Sequence, residues 1–200
     1  MEGSDLKNIQ IFKGYELAKQ LKAVVQDKNV KNVTIVGAGF IGMEVASALQ
    51  ANGKKVTVIE AQDRIMAANF GTEITTMVEK AAKNEGIIIK VGQKVQKFTG
   101  NQGVVTQVVT DKEIIATDYV VFSVGTQLQT ELLKGKIDLD TKGAIIVDDY
   151  MQTSNQDIYG IGDAAAVLDS ATQTNHFIAI APVAARTGMI AATNIVKGTT

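Results

Sequence analysis

The sequence predicts an α/β fold: a parallel sheet with crossover helices, a three-stranded β-meander set into it, and a smaller region after residue 125. Three observations predict it. Short apolar runs alternate with segments whose apolar residues recur at helical spacing, joined by short loops, which is the pattern of parallel strands with right-handed crossovers. Three glycines stand where the first run hands over to a helix. From Gln93 the rhythm changes to short strands separated only by turn residues.

Taken in order, Leu17, Leu21, Val24 and Val25 predict a helix over 15–26, within a lead-in strand and helix segment at 1–32. Val33 to Val36 reads as a buried strand. Ile41, Val45, Ala48 and Leu49 make the apolar face of the next helix, which Gly53 caps. Lys55 to Glu60 is a second strand. Ile74, Met77, Val78, Ala81 and Ala82 line a further helix ended by Gly86, and Ile87 to Val91 is a third strand. The meander comprises Gln93 to Phe98, Gly103 to Val109 and Glu113 to Ala116, with turns at Gly100-Asn101-Gln102 and Asp111-Lys112. Tyr119 to Val124 reads as a strand returning to the parallel sheet. The organisation expected is therefore 1–32, 33–125 and 126–200, the last with short strands near Ile145 and Ile158 and a final helix from about Val183, started by Pro182.

Composition excludes several function classes. Twenty basic residues against twenty-one acidic leave no basic patch for nucleic acid or an anionic membrane. The longest apolar run, 177–185, is too short to span a bilayer. The N-terminus MEGSDLKN lacks the features of a signal peptide, so a cytoplasmic location is expected. The absence of cysteine removes disulfides, thiolate metal sites and a thiol nucleophile from this chain. The single histidine, His176, leaves no histidine metal cluster.

The glycines carry the first chemical signal. In VTIVGAGFIGMEVASALQ, Gly37 permits the tight strand-to-helix turn, Gly39 lets a pyrophosphate approach the backbone, and Gly42 lets the helix pack close to the sheet. The helix start offers N–H groups and a positive dipole end to phosphates. Glu60, eighteen residues after Gly42, closes the second strand, where a carboxylate accepts hydrogen bonds from the adenosine ribose hydroxyls and repels a 2′-phosphate. This points to a Rossmann-like dinucleotide site preferring NAD(H) to NADP(H), although nearby Arg64 is able in principle to meet a phosphate. The competing reading is a packing turn and a solvated strand-end acid.

A more specific signal lies in TSNQDIYGIGDAAAV, Thr153 to Val167. It resembles the flavin-contacting segment of the FAD-dependent pyridine nucleotide–disulfide oxidoreductases, in which a T-S-x-x-x-I-Y/F-A-x-G-D stretch ends in an aspartate bonded to the FAD ribityl chain. The resemblance assigns that role to Asp163, preceded by Gly162. DYVVFSVGT resembles the family's strand-plus-glycine segment flanking the NAD site, with Gly125 as its glycine. IAIAPVAARTGMIAATNI is similar to the segment where a Leu-Ala pair nears the flavin (here Ile180-Ala181) and an A-x-R-x-G helix follows, at Ala184 to Gly188. The NADH oxidase, NADH peroxidase and CoA-disulfide reductase branch is the most similar, and the resemblance runs from about Leu6 to Ile195. Departures are Thr126-Gln127-Leu128 where a proline is usual, Ile161 before the Gly-Asp pair, and Gly160 for alanine.

Members of this family also begin with another GxGxxG that seats FAD, carry a redox cysteine in this branch, and end in a dimerisation domain. This chain has one GxGxxG and no cysteine. The resemblance therefore implies the NAD-binding domain and a partial FAD-associated central domain of such an enzyme, whose parent passes hydride from NADH to FAD. By the same resemblance Gly37, Gly39, Phe40, Ile41 and Gly42 cradle the pyrophosphate, Glu60 holds the ribose, and Glu44 sits near the nicotinamide or is simply an exposed helix acid. Asp163 contacts flavin or caps a helix starting at Ala164. The partners implied are NADH and the missing FAD-binding and dimerisation domains; FAD belongs to the parent and is not expected to be retained by this chain, which is expected to be inactive alone. Two alternatives stand beside this: a non-catalytic NAD-binding module acting as a redox sensor or partner subunit, and a self-sufficient dehydrogenase. The second lacks a convincing acid–base constellation. Tyr15 and Lys19 form a Y-x-x-x-K pair, but ahead of the nucleotide strands rather than after them, and His176 reads as a surface residue.

Overall fold

The structure, a computed structural model, describes residues 1–11, 14–125 and 128–198, except the side chains of Glu16 and Leu17. The chain divides into two compact units, Met1–Gly125 and Thr126–Thr200.

The first unit is built on β1 (Ile9–Ile11), α1 (Gly14–Gln26), β2 (Asn32–Val36), α2 (Phe40–Ala51), β3 (Lys55–Ile59), α3 (Thr72–Asn84) and β4 (Ile88–Lys90). The meander follows as β5 (Val95–Asn101), β6 (Val104–Thr110) and β7 (Ile114–Ala116), and β8 (Tyr119–Phe122) returns to the parallel sheet. The sheet order is β1-β8-β2-β3-β4, with every neighbouring pair parallel. The strands look uniformly apolar in sequence because both faces are covered. Val33, Ile35, Val56, Val58 and Val121 pack with Val45, Ala46 and Leu49 of α2 on one face. Val36, Ile59 and Val120 pack with Phe98, Val105 and Val108 of the meander on the other. Register aligns Val36 with Ile59 on one side and Phe122 on the other, so the loops after β2, β3 and β8 leave from one edge. That edge is a switch point: α2 carries the chain from β2 one way to β3, while β8 and β1 lie the other way.

Two helix faces differ from expectation. On α2, Ile41 and Ala48 are exposed, while Gly42, Met43, Val45, Ala46 and Leu49 are buried. On α3, Ile74, Met77 and Ala81 face out, and Thr75, Val78 and Ala82 turn inward. On α3 the smaller Thr75 and Val78 take the inner face in place of Ile74 and Met77, and the Thr75 hydroxyl is satisfied by donating to the Thr72 carbonyl at 3.1 Å. Both helices end in the same way. The Lys54 and Gly53 amides bond to Leu49 and Gln50, and those of Ile87 and Gly86 bond to Ala82 and Lys83, a Schellman closure at the expected glycines.

In the second unit β9 (Ile145–Ile146), β10 (Ala165–Asp169) and β11 (Thr174–Phe177) form a sheet ordered β11-β10-β9, and α4 (Ala181–Lys197) closes the unit. The strand expected near Ile158 is absent. The Ile158 amide donates to the Asn155 carbonyl in a turn, leaving only an isolated bridge between Gln152 and Tyr159. The final helix begins at Ala181, with Pro182 in its first turn. Among the described residues no helix is long and apolar enough to cross a membrane.

Candidate dinucleotide site

Each glycine of the turn between β2 and α2 has its own physical reason. Gly37 has φ +102°, and a Cβ there would lie 2.5 Å from the Ser123 carbonyl oxygen. A Cβ on Gly42 would lie 1.9 Å from the Gly37 carbonyl oxygen, so α2 could not sit this close with any side chain there. Gly39 differs: a Cβ would meet nothing within 4 Å. The space beside it is open, as a cradle for a ligand's phosphates requires. Gly39 is also the N-cap residue, and the first helical bond is Met43 N–H to its carbonyl, at 3.0 Å. The amides of the first turn therefore face the open side with the positive end of the helix dipole behind them.

Glu60 stands against this turn. Half-buried at the end of β3, its Oε2 accepts the Ala38 amide at 2.8 Å and its Oε1 the Gln62 amide at 2.9 Å. Its backbone is held as well, the amide donating to Lys90 and the carbonyl accepting from Gln93. Those two residues are gathered from the meander side by Glu113, whose oxygens each lie 2.7 Å from Lys90 Nζ, with Gln93 Nε2 at 2.8 Å. The hydrogen bond from Lys90, aided by that from Gln93, holds the Glu113 carboxyl below its ordinary value of 4.5. After Glu60 the chain folds back over the turn, with the Met66 amide bonded to the Ala38 carbonyl at 2.9 Å. Arg64 lies within this strap: Nη2 donates to the Ala67 carbonyl at 3.2 Å and Nη1 lies 3.6 Å from the exposed Asp63, while Nε is buried without a partner among the described residues. Phe70, at the strap's end, packs edge-on against Phe40, ring centres 5.5 Å apart.

The structure thus brings Gly37, Gly39, Phe40, Ile41, Gly42 and Glu60 to one edge, with Phe40 and Ile41 exposed at the helix start. Glu44 is exposed one turn along α2. Gly125, with φ +88°, lies just beyond the end of β8; Thr126 and Gln127 after it lie outside the described residues. The residue types present, bare amides on an open space and a fixed acid beside them, suit a diphosphate and an adjoining diol.

The remaining sequence-predicted positions lie in the second unit. Gly162 has φ +64°, and its amide donates to Thr187 Oγ1 at 3.0 Å. Asp163 is exposed in a single 3-10 turn, Gly162–Ala164. No helix starts at Ala164, where β10 follows at once, so Asp163 is not a helix cap. Ala181 is exposed as the first residue of α4. Tyr15 and Lys19 turn to each other, ammonium 4.5 Å from ring centre, and His176 bonds to Thr172 and Thr174 on an exposed hairpin. Among the described residues no group of acids and histidines could hold a metal. Sequence reasoning missed Ser123 and Thr187. A polar residue ending the apolar run of β8 was the available signal for the first; nothing marked the second.

Comparison with known proteins gives this geometry its context. The pyridine nucleotide-disulphide oxidoreductase family matches residues 1–188. The NADH oxidase of Streptococcus pyogenes is 38% identical over 189 residues, covering 94% of this chain and 41% of the relative. The solved water-forming NADH oxidase from Lactobacillus brevis, bound to NADH, superposes with a TM-score of 0.92 at 36% identity, covering all of this chain and 44% of that one. An engineered NADPH oxidase made from that enzyme, bound to NADPH, gives 0.91 at 34% identity with the same coverage; its five substitutions include a glycine and an aspartate eighteen positions further on, both changed to alanine. The chain thus spans about two fifths of the length of the relatives it matches. It belongs to the pyridine nucleotide-disulphide oxidoreductase family.

Proposed function

We propose that this chain binds NADH through the glycine turn and Glu60, and is the NAD(H)-binding portion of a flavin-dependent NADH oxidase-type oxidoreductase. The observation that carries the reading is the pairing of open space at Gly39 with a carboxylate already fixed to the Ala38 amide. The main-chain amides of the α2 start take the diphosphate, and Glu60 takes the ribose diol. Preference for NADH over NADPH follows from two features: the negative charge of Glu60, and an Arg64 whose guanidinium is engaged by the strap. The engineered NADPH-bound relative supports this, since its altered glycine and acid have the spacing that separates Gly42 from Glu60.

In the second unit Gly162, Asp163 and Ala181 would face a flavin, with Thr187 holding the Gly162 amide. FAD supplies the hydride acceptor when bound. The coverage of the relatives supports FAD-binding and dimerisation parts outside this chain, so the chain alone binds NADH without turning it over.

Titration of the purified chain with NADH, NADPH and FAD tests this. NADH should bind and raise the melting temperature, as any ligand of the native state does. NADPH should bind more weakly, and the protein should be colourless. Glu60→Ala should cost NADH about tenfold in affinity, the scale of a hydrogen bond to a charged group. Absence of NADH binding would overturn the reading. Yellow protein that oxidises NADH would overturn its inactivity, and an NADH-driven change of oligomeric state would favour a sensor.

A further inference from the structure

The peptide between Gly37 and Ala38 is held at both ends. Ser123 Oγ lies 3.0 Å from the Gly37 carbonyl and 3.1 Å from that of Val36, and its one proton is offered to this pair. In a planar trans peptide the C=O and the following N–H point in opposite directions. The N–H on the other side of the Gly37 carbonyl is that of Ala38, which donates to Glu60 Oε2 at 2.8 Å. With Gly37 on its carbonyl side, this peptide is freer to rotate than one between two substituted residues. A rotated peptide would aim a carbonyl at the Glu60 carboxylate and withdraw its donor.

We propose that Ser123 is a positioning residue for the dinucleotide: its hydroxyl and the Glu60 carboxylate grip opposite ends of one peptide plane, so the serine presets the acid that takes the ribose. The Ser123 amide, bonded to Val36 at 2.8 Å, anchors the hydroxyl to the end of β2. Aligned donors and acceptors on one peptide polarise one another, which strengthens the Ala38 bond to Glu60. This inference rests on the reading of the site as an NADH site.

The test is calorimetric titration of NADH and NADPH into the full chain, for wild type, Ser123→Ala, Ser123→Thr, Glu60→Gln and the Ser123→Ala/Glu60→Gln double variant. Loss of the hydroxyl should weaken NADH about fivefold and leave NADPH nearly unchanged, narrowing the preference by the same factor. Threonine, which keeps the hydroxyl, should restore affinity to within about twofold. The double variant should bind NADH about as weakly as Glu60→Gln alone, because the two changes act through one peptide. Should Ser123→Ala melt too low to titrate, Ser123→Cys keeps the volume with a poor donor and carries the same expectation. Wild-type affinity in the hydroxyl-free variants, equal losses for both nucleotides, or additive losses in the double variant would overturn the inference while leaving the NADH reading intact. Failure of wild type to bind NADH would overturn both.

Discussion

Both units of this chain place an acid beside a glycine-bearing turn, but only one of the acids is held. In the first unit Glu60 accepts two backbone amides, and its own backbone is tied to Lys90 and Gln93. In the second, the Gly162 backbone is fixed by Thr187, yet the Asp163 carboxylate is exposed and accepts no hydrogen bond among the described residues. The contrast is one of preorganisation. On the proposed reading, a ligand of the first site would meet an acid already fixed and lose little order on binding, whereas Asp163 has no such fixed geometry.

The largest expected effect comes from breaking the settled site. Gly37→Ala puts a side chain at φ +102°, with its Cβ 2.5 Å from a backbone carbonyl that cannot swing aside. Backbone strain and overpacking together should cost about 3 kcal/mol of stability. NADH binding should vanish in the same variant, read by denaturant melts and titration. Retained affinity would mean that the turn is not the nucleotide cradle.

A smaller and differently placed effect is expected from Thr187→Val. Thr187 is buried, accepts the Gly162 amide, and donates back into α4. The isosteric valine leaves that amide without its partner, at a cost of about 1–2 kcal/mol. Amide exchange at 161–164 should quicken while NADH affinity stays at its wild-type value. A parallel loss of NADH affinity would show that the two turns do not act separately.

What could be read in advance follows the same division. The turn at Gly37, Gly39 and Gly42 and the strand end at Glu60 were legible because a strand that turns tightly into a closely packed helix needs glycine at fixed spacing, and the next apolar run stops at an acid. The inner faces of α2 and α3 were legible in part: Val45, Leu49, Val78 and Ala82 face the sheet as the spacing predicts, whereas Ile41, Ala48, Ile74, Met77 and Ala81 face out and Thr75 turns in. The strands β10 and β11 left little pattern, since three of the four residues of β11 are exposed and no alternation marks it. The Ser123 contact was not legible, because the peptide it bonds lies 86 residues away and only the return of β8 beside β2 brings it within reach.

The subtlest difference between the units concerns acid. In the first, the Asp118 carboxylate joins strands distant in sequence, accepting the Asn32 and Lys31 amides at 2.7 and 2.9 Å and the Asn32 side chain at 3.1 Å. Partial burial pushes this carboxyl up, but the bonds from Asn32 and Lys31 outweigh it and hold it below its ordinary value of 3.8. In the second, Asp169 is also lowered, chiefly by the Ala171 amide and the Thr172 hydroxyl, yet those partners are two and three residues away and close only a local turn. A carboxyl depressed in the folded state adds stability that is complete above its unfolded value and disappears as pH falls through its folded one. For Asp118 that window lies below pH 3.8, with Glu113 contributing below 4.5. Acid titration followed by residue-resolved amide exchange should therefore open the β2 and β8 starts of the first unit. Asp118→Asn should flatten that acid limb, whereas Asp169→Asn should leave the core of the second unit unmoved, because a bond that closes only its own turn opens locally when protonated. An acid limb that survives Asp118→Asn unchanged would assign it to other carboxylates and remove the long-range clasp as its origin.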